Sequence, residues 1–180
     1  KAAGRPTPAC EINIIDPDGK ILPHGIPGEI IIRGPTVMLG YWNKPLETSL
    51  AVQNGWIHTG DGGYFDQDGI LHMADRIKDM IVTGGENVYS TEVENALLSY
   101  PGIKMCAVVG IPNEQWGESV HAILLLLPGT TLDTNAIKVH CKTLIAGYKC
   151  PTSFEVRESL PLSAAGKILK HELRASYWTK

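Results

Sequence analysis

Apolar positions are distributed differently in the two halves of the chain. Up to about residue 75 they come as short runs broken by glycine, proline and aspartate. Glu11 to Ile15, then Asp16-Pro17-Asp18-Gly19, then Lys20-Ile21-Leu22 read as strand, turn, strand, and Gly28 to Arg33 is a third β-rich run closed by Gly34-Pro35. Ile57 to Asp61, Gly63 to Phe65 and Ile70 to Met73 continue the pattern, with Asp66-Gln67-Asp68-Gly69 as the turn between the last two. The spacing predicts an all-β unit over residues 1–75.

After Arg76 the period changes. Val93, Ala96, Leu97 and Tyr100 fall at i, i+3, i+4 and i+7, Thr91 and Glu94 are spaced as a capping box, and Pro101-Gly102 stops the run, which predicts an amphipathic helix. Met105 to Ile111 and Val120 to Leu127 read as buried strands. Ile137, Cys141, Leu144 and Ile145 mark a second helix, Phe154-Glu155-Val156 a further strand, and Lys170 to Tyr177 a final helix. The order strand, helix, strand, strand, helix, strand, helix predicts a small α+β domain over residues 80–180. Between the two textures Arg76-Ile77-Lys78-Asp79 is a polar junction, the place for a hinge over 76–79.

Composition narrows the class. The 180 residues carry a net charge of −3, with 19% charged and 43% hydrophobic, which argues against a disordered tail and against a domain-wide basic surface for nucleic acid. The longest apolar run near the middle, Ala122 to Leu127, is far short of the ~20 residues that span a bilayer, so no transmembrane helix is expected. Cys10, Cys106, Cys141 and Cys150 form no CxxC pair, and a chain this apolar needs no disulfide framework; a reducing, cytoplasmic setting is the expectation. The opening Lys1-Ala2-Ala3-Gly4-Arg5-Pro6 has neither an initiator Met nor an apolar signal and reads as mid-protein, which predicts a fragment.

Three segments combine glycine with charge beyond what packing requires. In Thr59-Gly60-Asp61 the glycine permits close backbone approach, and the carboxylate can accept from two neighbouring hydroxyls such as a ribose diol; the same residues also suit a turn aspartate bonding its own backbone. In Leu160 to Lys167 small residues lead to a lysine, a compact cation suited to a phosphate or carboxylate, or equally a solvated lysine on a hairpin turn. The stretch lacks the first glycine and the spacing of a Walker A loop. Asp75 to Asn87 contains Gly84-Gly85, which alone reads as a β-hairpin turn. Glu92 and Glu94 sit in a first helical turn, where they favour the dipole rather than acid–base work. The scattered histidines offer no zinc spacing, so no metal site is expected, and no Gly-x-Ser-x-Gly is present.

Taken in order, these segments resemble the C-terminal portion of the adenylate-forming superfamily, which includes acyl-CoA synthetases, peptide-synthetase adenylation domains and luciferases. The resemblance is carried by Gly28-Glu29-Ile30 through Gly40-Tyr41-Trp42 and Pro45, Gly55-Trp56-Ile57-His58-Thr59-Gly60-Asp61, Asp75-Arg76-Ile77-Lys78-Asp79 through Gly84-Gly85-Glu86-Asn87 to Glu92-Val93-Glu94, Tyr148-Lys149-Cys150-Pro151, and Leu160-Pro161 through Gly166-Lys167. It implies an α+β fold in which a β-rich, distorted barrel-like end of a large adenylation domain (1–75) is followed by the hinge and by a mobile small domain (80–180) with a short antiparallel sheet and flanking helices. It also implies a two-step ligase that converts a carboxylic acid and ATP into acyl-AMP and then transfers the acyl group to coenzyme A.

The same resemblance implies the residue roles. Asp61 grips the ribose with Arg76 beside it, Lys167 is catalytic in adenylation, and Lys78 is the hinge. Gly84, Gly85, Glu86 and Asn87 line the pantetheine path. Trp116, Tyr148 and Lys149 serve coenzyme A, with Trp116 as an ordinary packed aromatic the alternative. Ala74-Asp75, Gly62 and Cys150 depart from common family residues without removing a catalytic group. The phosphate loop, the acyl pocket and the glutamate that binds Mg2+ fall outside this sequence, so the fragment alone is expected to be inactive and to need the missing N-terminal large domain. A fatty acid is the leading acid. A carrier-protein thiol as acceptor and a non-catalytic interaction module of the same fold are the competing readings. Luciferase-type chemistry is disfavoured, since Tyr177-Trp178-Thr179-Lys180 carries no peroxisomal tail.

Overall fold

A computed structural model describes residues 2–178; Lys1 and the Thr179-Lys180 end of the C-terminal tetrapeptide lie outside the described residues. The chain divides into two compact units, one ending at Lys78 and the other starting at Asp79. No helix among the described residues is long and apolar enough to cross a membrane.

The first unit is built on β1 (Ala2–Gly4), β2 (Glu11–Ile15), β3 (Gly28–Arg33), α1 (Pro45–Ala51), β4 (Val52–Gln53), β5 (Trp56–Phe65) and β6 (Leu71–Arg76). Its sheet runs β1-β6-β5-β3-β2, with β4 added to β5, and every pairing is antiparallel. The path is open: β1 and β2 are its ends, and the barrel-like expectation resolves to an open sheet rather than a closed one. Alternation sets the buried face, since Ile12 opposes Ile32 and Ile14 opposes Ile30, and Ile14, Ile30 and Leu71 form the core with Leu22 and Phe65 against them.

Two turns of this unit are copies of one device. Asp16 Oδ1 accepts the amides of Asp18 and Lys20 at 3.0 and 2.9 Å, and Asp66 Oδ1 accepts those of Asp68 and Ile70 at the same distances. An aspartate four residues before the returning strand supplies the acceptor that the turn's own backbone lacks. The Ile70 amide, with the His72 ring 2.7 Å away, holds the Asp66 carboxyl below its ordinary range.

Three expectations for this unit change. The strand expected over Lys20-Ile21-Leu22 is a single bridge, Ile15 to Ile21. The separate strands expected at 57–61 and 63–65 are one strand, β5, with an irregularity between Asp61 and Gly63. The unit is not all-β, because α1 interrupts it with Pro45 in its first turn. That helix buries none of its residues, leaving Leu46 and Leu50 exposed, and at seven residues it holds only one i, i+4 apolar pair, too short a period to mark a helix in the sequence.

The second unit holds β7 (Ile81–Thr83), β8 (Glu86–Val88), α2 (Ser90–Leu98), β9 (Ile103–Asn113), β10 (Gly117–Leu126), α3 (Thr134–Leu144), β11 (Ser153–Val156) and α4 (Lys170–Trp178). Strand β10 is central: β9 pairs along one edge, while β7 and β11 share the other. The expected antiparallel sheet is mixed, since β11 runs parallel to β10 after the α3 crossover.

Both faces of the β9–β10 hairpin are covered, which explains its continuous apolar runs. Cys106, Val108, Val120, Ala122 and Leu124 pack under α2 and α3 with Val93, Leu97, Ile137 and Cys141. Ala107, Val109 and Ile123 face the other way, onto Leu160 and Leu173 of the α4 side. All four cysteines are free, and burial pushes Cys106 up to about 12 and Cys141 up to about 11.

Thr91, expected as the N-cap of a capping box with Glu94, lies inside the helix. The helix begins two residues earlier, with Tyr89 as N-cap, and the Glu94 carboxylate turns to the Val108 amide (2.9 Å) and the Lys170 ammonium (2.8 Å). Helix α3 is capped conventionally, by Asp133 accepting from the amides of Asn135 and Ala136.

Candidate active-site elements

In the first unit the sheet register brings Asp61 and Arg76 together. They are cross-strand partners on β5 and β6, and Arg76 Nε lies 3.4 Å from Asp61 Oδ1, with both side chains partly exposed. The turn before Asp61 is pinned from β3: Glu29 accepts the Gly60 amide at 3.0 Å and touches the His58 ring at 3.0 Å. Thr59 donates its hydroxyl to the Ile30 carbonyl at 2.7 Å and accepts the Asp61 amide at 3.1 Å. Asp61 therefore spends its main chain, not its carboxylate, on the turn. Glu29 and Thr59 are the supports that a sequence reading of Asp61 alone does not reach, because they depend on β3 lying beside β5.

Lys78 is exposed in a 3-10 turn, Ile77–Asp79, at the boundary between the units.

In the second unit Gly84 and Gly85 form the two-residue turn of the β7–β8 hairpin, with Thr83 opposite Glu86. Their φ values of 60° and 84° are the left-handed pair that a type I′ turn needs. Glu86 and Asn87 are exposed on β8. Trp116 packs directly on this turn: its carbonyl accepts the Gly84 amide at 2.9 Å, and a Cβ at Gly84 would stand 3.0 Å from its ring. The indole is half exposed, so Trp116 is both a packing partner of the hairpin and a surface aromatic.

Tyr148 and Lys149 lie in a 3-10 turn, Gly147–Lys149, after α3. The tyrosine is half exposed, while the Lys149 ammonium is claimed by both Glu92 oxygens, at 2.9 and 2.8 Å. Cys150 is buried in the core, where desolvation raises its pKa, and does not reach the surface.

Lys167 ends a tight turn in which Leu162 bridges Ile168, Ser163 bonds the Lys167 carbonyl at 2.8 Å, and the Ser163 hydroxyl accepts the Lys167 amide at 3.1 Å. Its side chain is exposed, and among the described residues its ammonium has no ion pair or hydrogen bond. Three residues on, Lys170 is the opposite case: mostly buried, it donates to Ser90 at 2.5 Å and pairs with Glu94. No group of three or more His, Cys, Asp or Glu side chains that could hold a metal ion occurs among the described residues.

Residues 1–42 match the AMP-binding enzyme family and residues 92–167 its C-terminal domain, AMP-binding enzyme C-terminal domain. The chain is 43% identical over 176 residues to a feruloyl-CoA synthase of an Amycolatopsis species, covering 98% of this chain and 36% of that protein. It is 42% identical over 178 residues to the fatty acid--[acyl-carrier-protein] ligase ScoC of Streptomyces coeruleorubidus, covering 99% and 34%. Among solved structures it resembles o-succinylbenzoate CoA synthetase (MenE) from Bacillus subtilis in complex with the acyl-adenylate intermediate OSB-AMP, with a TM-score of 0.89, 39% identity, and coverage of 96% and 35%. The same enzyme matches in complex with ATP and magnesium ion at a TM-score of 0.87. The chain thus belongs to the adenylate-forming superfamily of AMP-binding enzymes. It spans about a third of the length of the relatives it matches.

Proposed function

We propose that this chain is the C-terminal part of an ATP-dependent acid–thiol ligase that activates a carboxylic acid, with a fatty acid as the leading class, and transfers it to coenzyme A. The observation that carries the proposal is Lys167: a cation with no ion pair or hydrogen bond among the described residues, at the end of a small-residue turn, in a unit whose other basic side chains near α2 are paired. Asp61 with one oxygen toward Arg76 and Glu29 and Thr59 beneath it supports a ribose site. The domain reading is a large-domain end over 1–75, a hinge over 76–79 with Lys78 at its centre, and a mobile small domain over 80–180.

In the first step a carboxylate oxygen attacks the ATP α-phosphorus, the acyl–phosphate bond forms, the α–β anhydride bond breaks and pyrophosphate leaves. Lys167 would sit between the two anions and offset the charge that accumulates at the α-phosphate. In the second step a thiol sulfur attacks the acyl carbonyl, the thiol loses its proton and AMP departs. Gly84 to Asn87 would border the thiol's path, with Trp116 and Tyr148 offering exposed aromatic faces to the adenine of coenzyme A. ATP, acid and coenzyme A are the substrates. Mg2+ would be held by residues outside this chain, and the chain alone would be inactive without the large domain.

One observation favours a second reading of the acceptor. Lys149 is locked to Glu92 rather than presented for a phosphate, which suits a carrier-protein pantetheine, the acceptor class in the name of the Streptomyces relative, as well as it suits coenzyme A.

The test is acid-dependent ATP–pyrophosphate exchange by the full-length protein over fatty, aromatic and amino acids, beside Lys167→Ala, followed by thioester formation with coenzyme A and with a carrier protein. Exchange with one acid class that collapses in the variant supports the proposal. A folded, ATP-binding protein that exchanges with no acid overturns it in favour of a non-catalytic module.

A further inference from the structure

We propose that Glu118, clamped by Arg174, is a positioning residue for the Gly84–Gly85 hairpin and, through it, for the thiol-transfer step. The inference rests on the reading above, in which that hairpin borders the thiol's path.

Strand β7 pairs with β10 at one register position, Thr83 to Gly117. The turn is tied by the Gly84 amide to the Trp116 carbonyl, and the far end of the hairpin is anchored by Ile81 and Val88 in the core. The next amide back, Val82 N–H, is taken by a side chain: it donates to Glu118 Oε2 at 2.9 Å. The other carboxylate oxygen, Oε1, accepts from Arg174 Nη2 at 2.6 Å, and the Glu118 side chain is only 12% exposed. Glu118 thus stands in for a missing rung of the ladder, and its direction is fixed by a cation on α4.

The surroundings are built for that carboxylate. Gly110 on the neighbouring strand β9 has ordinary extended-region backbone, yet a Cβ there would stand 2.6 Å from Glu118 Oε2, so its bareness makes room for the acid rather than for a turn. Trp178 closes the other side, donating its indole N–H to the Gly110 carbonyl at 3.0 Å and lying under the Arg174 guanidinium at 4.8 Å. Helix α4 follows directly on the Lys167 turn. The helix that follows the turn bearing the proposed adenylation lysine thus also orients, through Arg174 and Glu118, the hairpin assigned to the second step.

The test uses the full-length protein with Glu118→Ala, Glu118→Gln and Gly110→Ala. Loss of a charged hydrogen-bond acceptor predicts that in Glu118→Ala amide-exchange protection of Val82 and thioester formation each fall about tenfold, the latter mainly through the thiol KM, while acid-dependent pyrophosphate exchange stays within about twofold. Glu118→Gln keeps the shape and gives a smaller loss with the same selectivity, and Gly110→Ala, which pushes on the same carboxylate, reproduces it. Unprotected Val82 with unchanged thioester formation would overturn the role, as would a parallel fall of both half-reactions with protection lost throughout the unit. Failure of the underlying reading would show separately, as wild-type protein that forms no thioester or a Lys167→Ala variant that still exchanges.

Discussion

The second unit displays two tight turns that solve opposite problems. The Gly84–Gly85 turn is braced from outside: Trp116 takes its first amide and covers its glycine, and Glu118 holds the strand beneath it. The Lys167 turn is held by its own chain, with Ser163 closing it through backbone and hydroxyl, and with Ala164, Ala165 and Lys167 all exposed. The first turn is fixed by side chains distant in sequence, whereas the exposed cation of the second stands on a turn held by its own chain. Just beyond each turn the contrast ends in buried ion pairs on α4, so the freedom of Lys167 stops at Lys170.

The largest effect should come from the unbraced turn. In the full-length protein Lys167→Ala is expected to lower the adenylation rate by about 10² to 10³, the cost of losing one preorganised charge-stabilising donor, with no change in amide protection of residues 103–126. Pyrophosphate-exchange kinetics and hydrogen exchange on the same samples check both halves. A variant that loses protection as well would mean that Lys167 supports the fold, and the contrast between the turns would fail.

The next effect measures bracing itself. Gly84 and Gly166 both have left-handed backbone, at φ 60° and 74°, so alanine at either pays that strain, about 1 kcal/mol. Only Gly84 has a neighbour to collide with: its Cβ would meet the Trp116 ring, while around Gly166 nothing lies within 4 Å. Gly84→Ala should therefore lower the local opening free energy by more than Gly166→Ala, and combining it with Trp116→Ala should close the gap. A double-mutant cycle read by amide exchange of residues 81–88 makes the comparison. Equal costs for the two glycines would show that Trp116 gives way freely and braces nothing.

How much of this was legible beforehand depended on whether the signal was local. The Asp16 and Asp66 turns, the β9 and β10 strands and α3 declare themselves by neighbours in sequence. Helix α1 does not, because its seven residues hold a single i, i+4 apolar pair. The start of α2 lies two residues ahead of where Thr91 suggests, and the partners of Glu94, Val108 and Lys170, lie far along the chain. Within the candidate site, Asp61, Arg76 and Lys167 are candidates through family likeness, which depends on residues in the sequence itself. Their supports are not legible there: Glu29 under Gly60, Glu118 under Val82 and Glu92 on Lys149 exist only once strands and helices are adjacent. Gly110 shows the limit well, since a glycine in an apolar strand reads as a defect until the carboxylate beside it is seen.

The smallest expected effect concerns the far end of α4, the fixed base on which the Lys167 turn stands. His121 on β10 is 5% exposed, with Nδ1 2.7 Å from the Ser153 hydroxyl and Nε2 3.0 Å from the Tyr177 hydroxyl, which also donates to Glu155. Burial lowers the pKa of His121 despite the Glu155 carboxylate 3.8 Å away, with Arg157 reinforcing the shift, and burial also pushes Tyr177 up to about 12. A histidine whose folded pKa lies below its unfolded value near 6.5 binds more protons when unfolded. Its contribution to stability is therefore complete above about pH 6.5 and declines as pH falls from there toward the folded pKa. Glu155, held low chiefly by Arg157 at 2.5 Å and then by Tyr177, loses its own contribution only in more acid solution, below the ordinary glutamate range. Amide protection of α4 should thus begin to fall between pH 6.5 and 5, ahead of the α2–α3 face, and His121→Gln should flatten that first decline while leaving the second. If α4 protection is flat across pH 6.5 to 5 in the wild type, the imidazole is not what fixes this end of the helix, and the base under Lys167 is set by Lys170 and Arg174 alone.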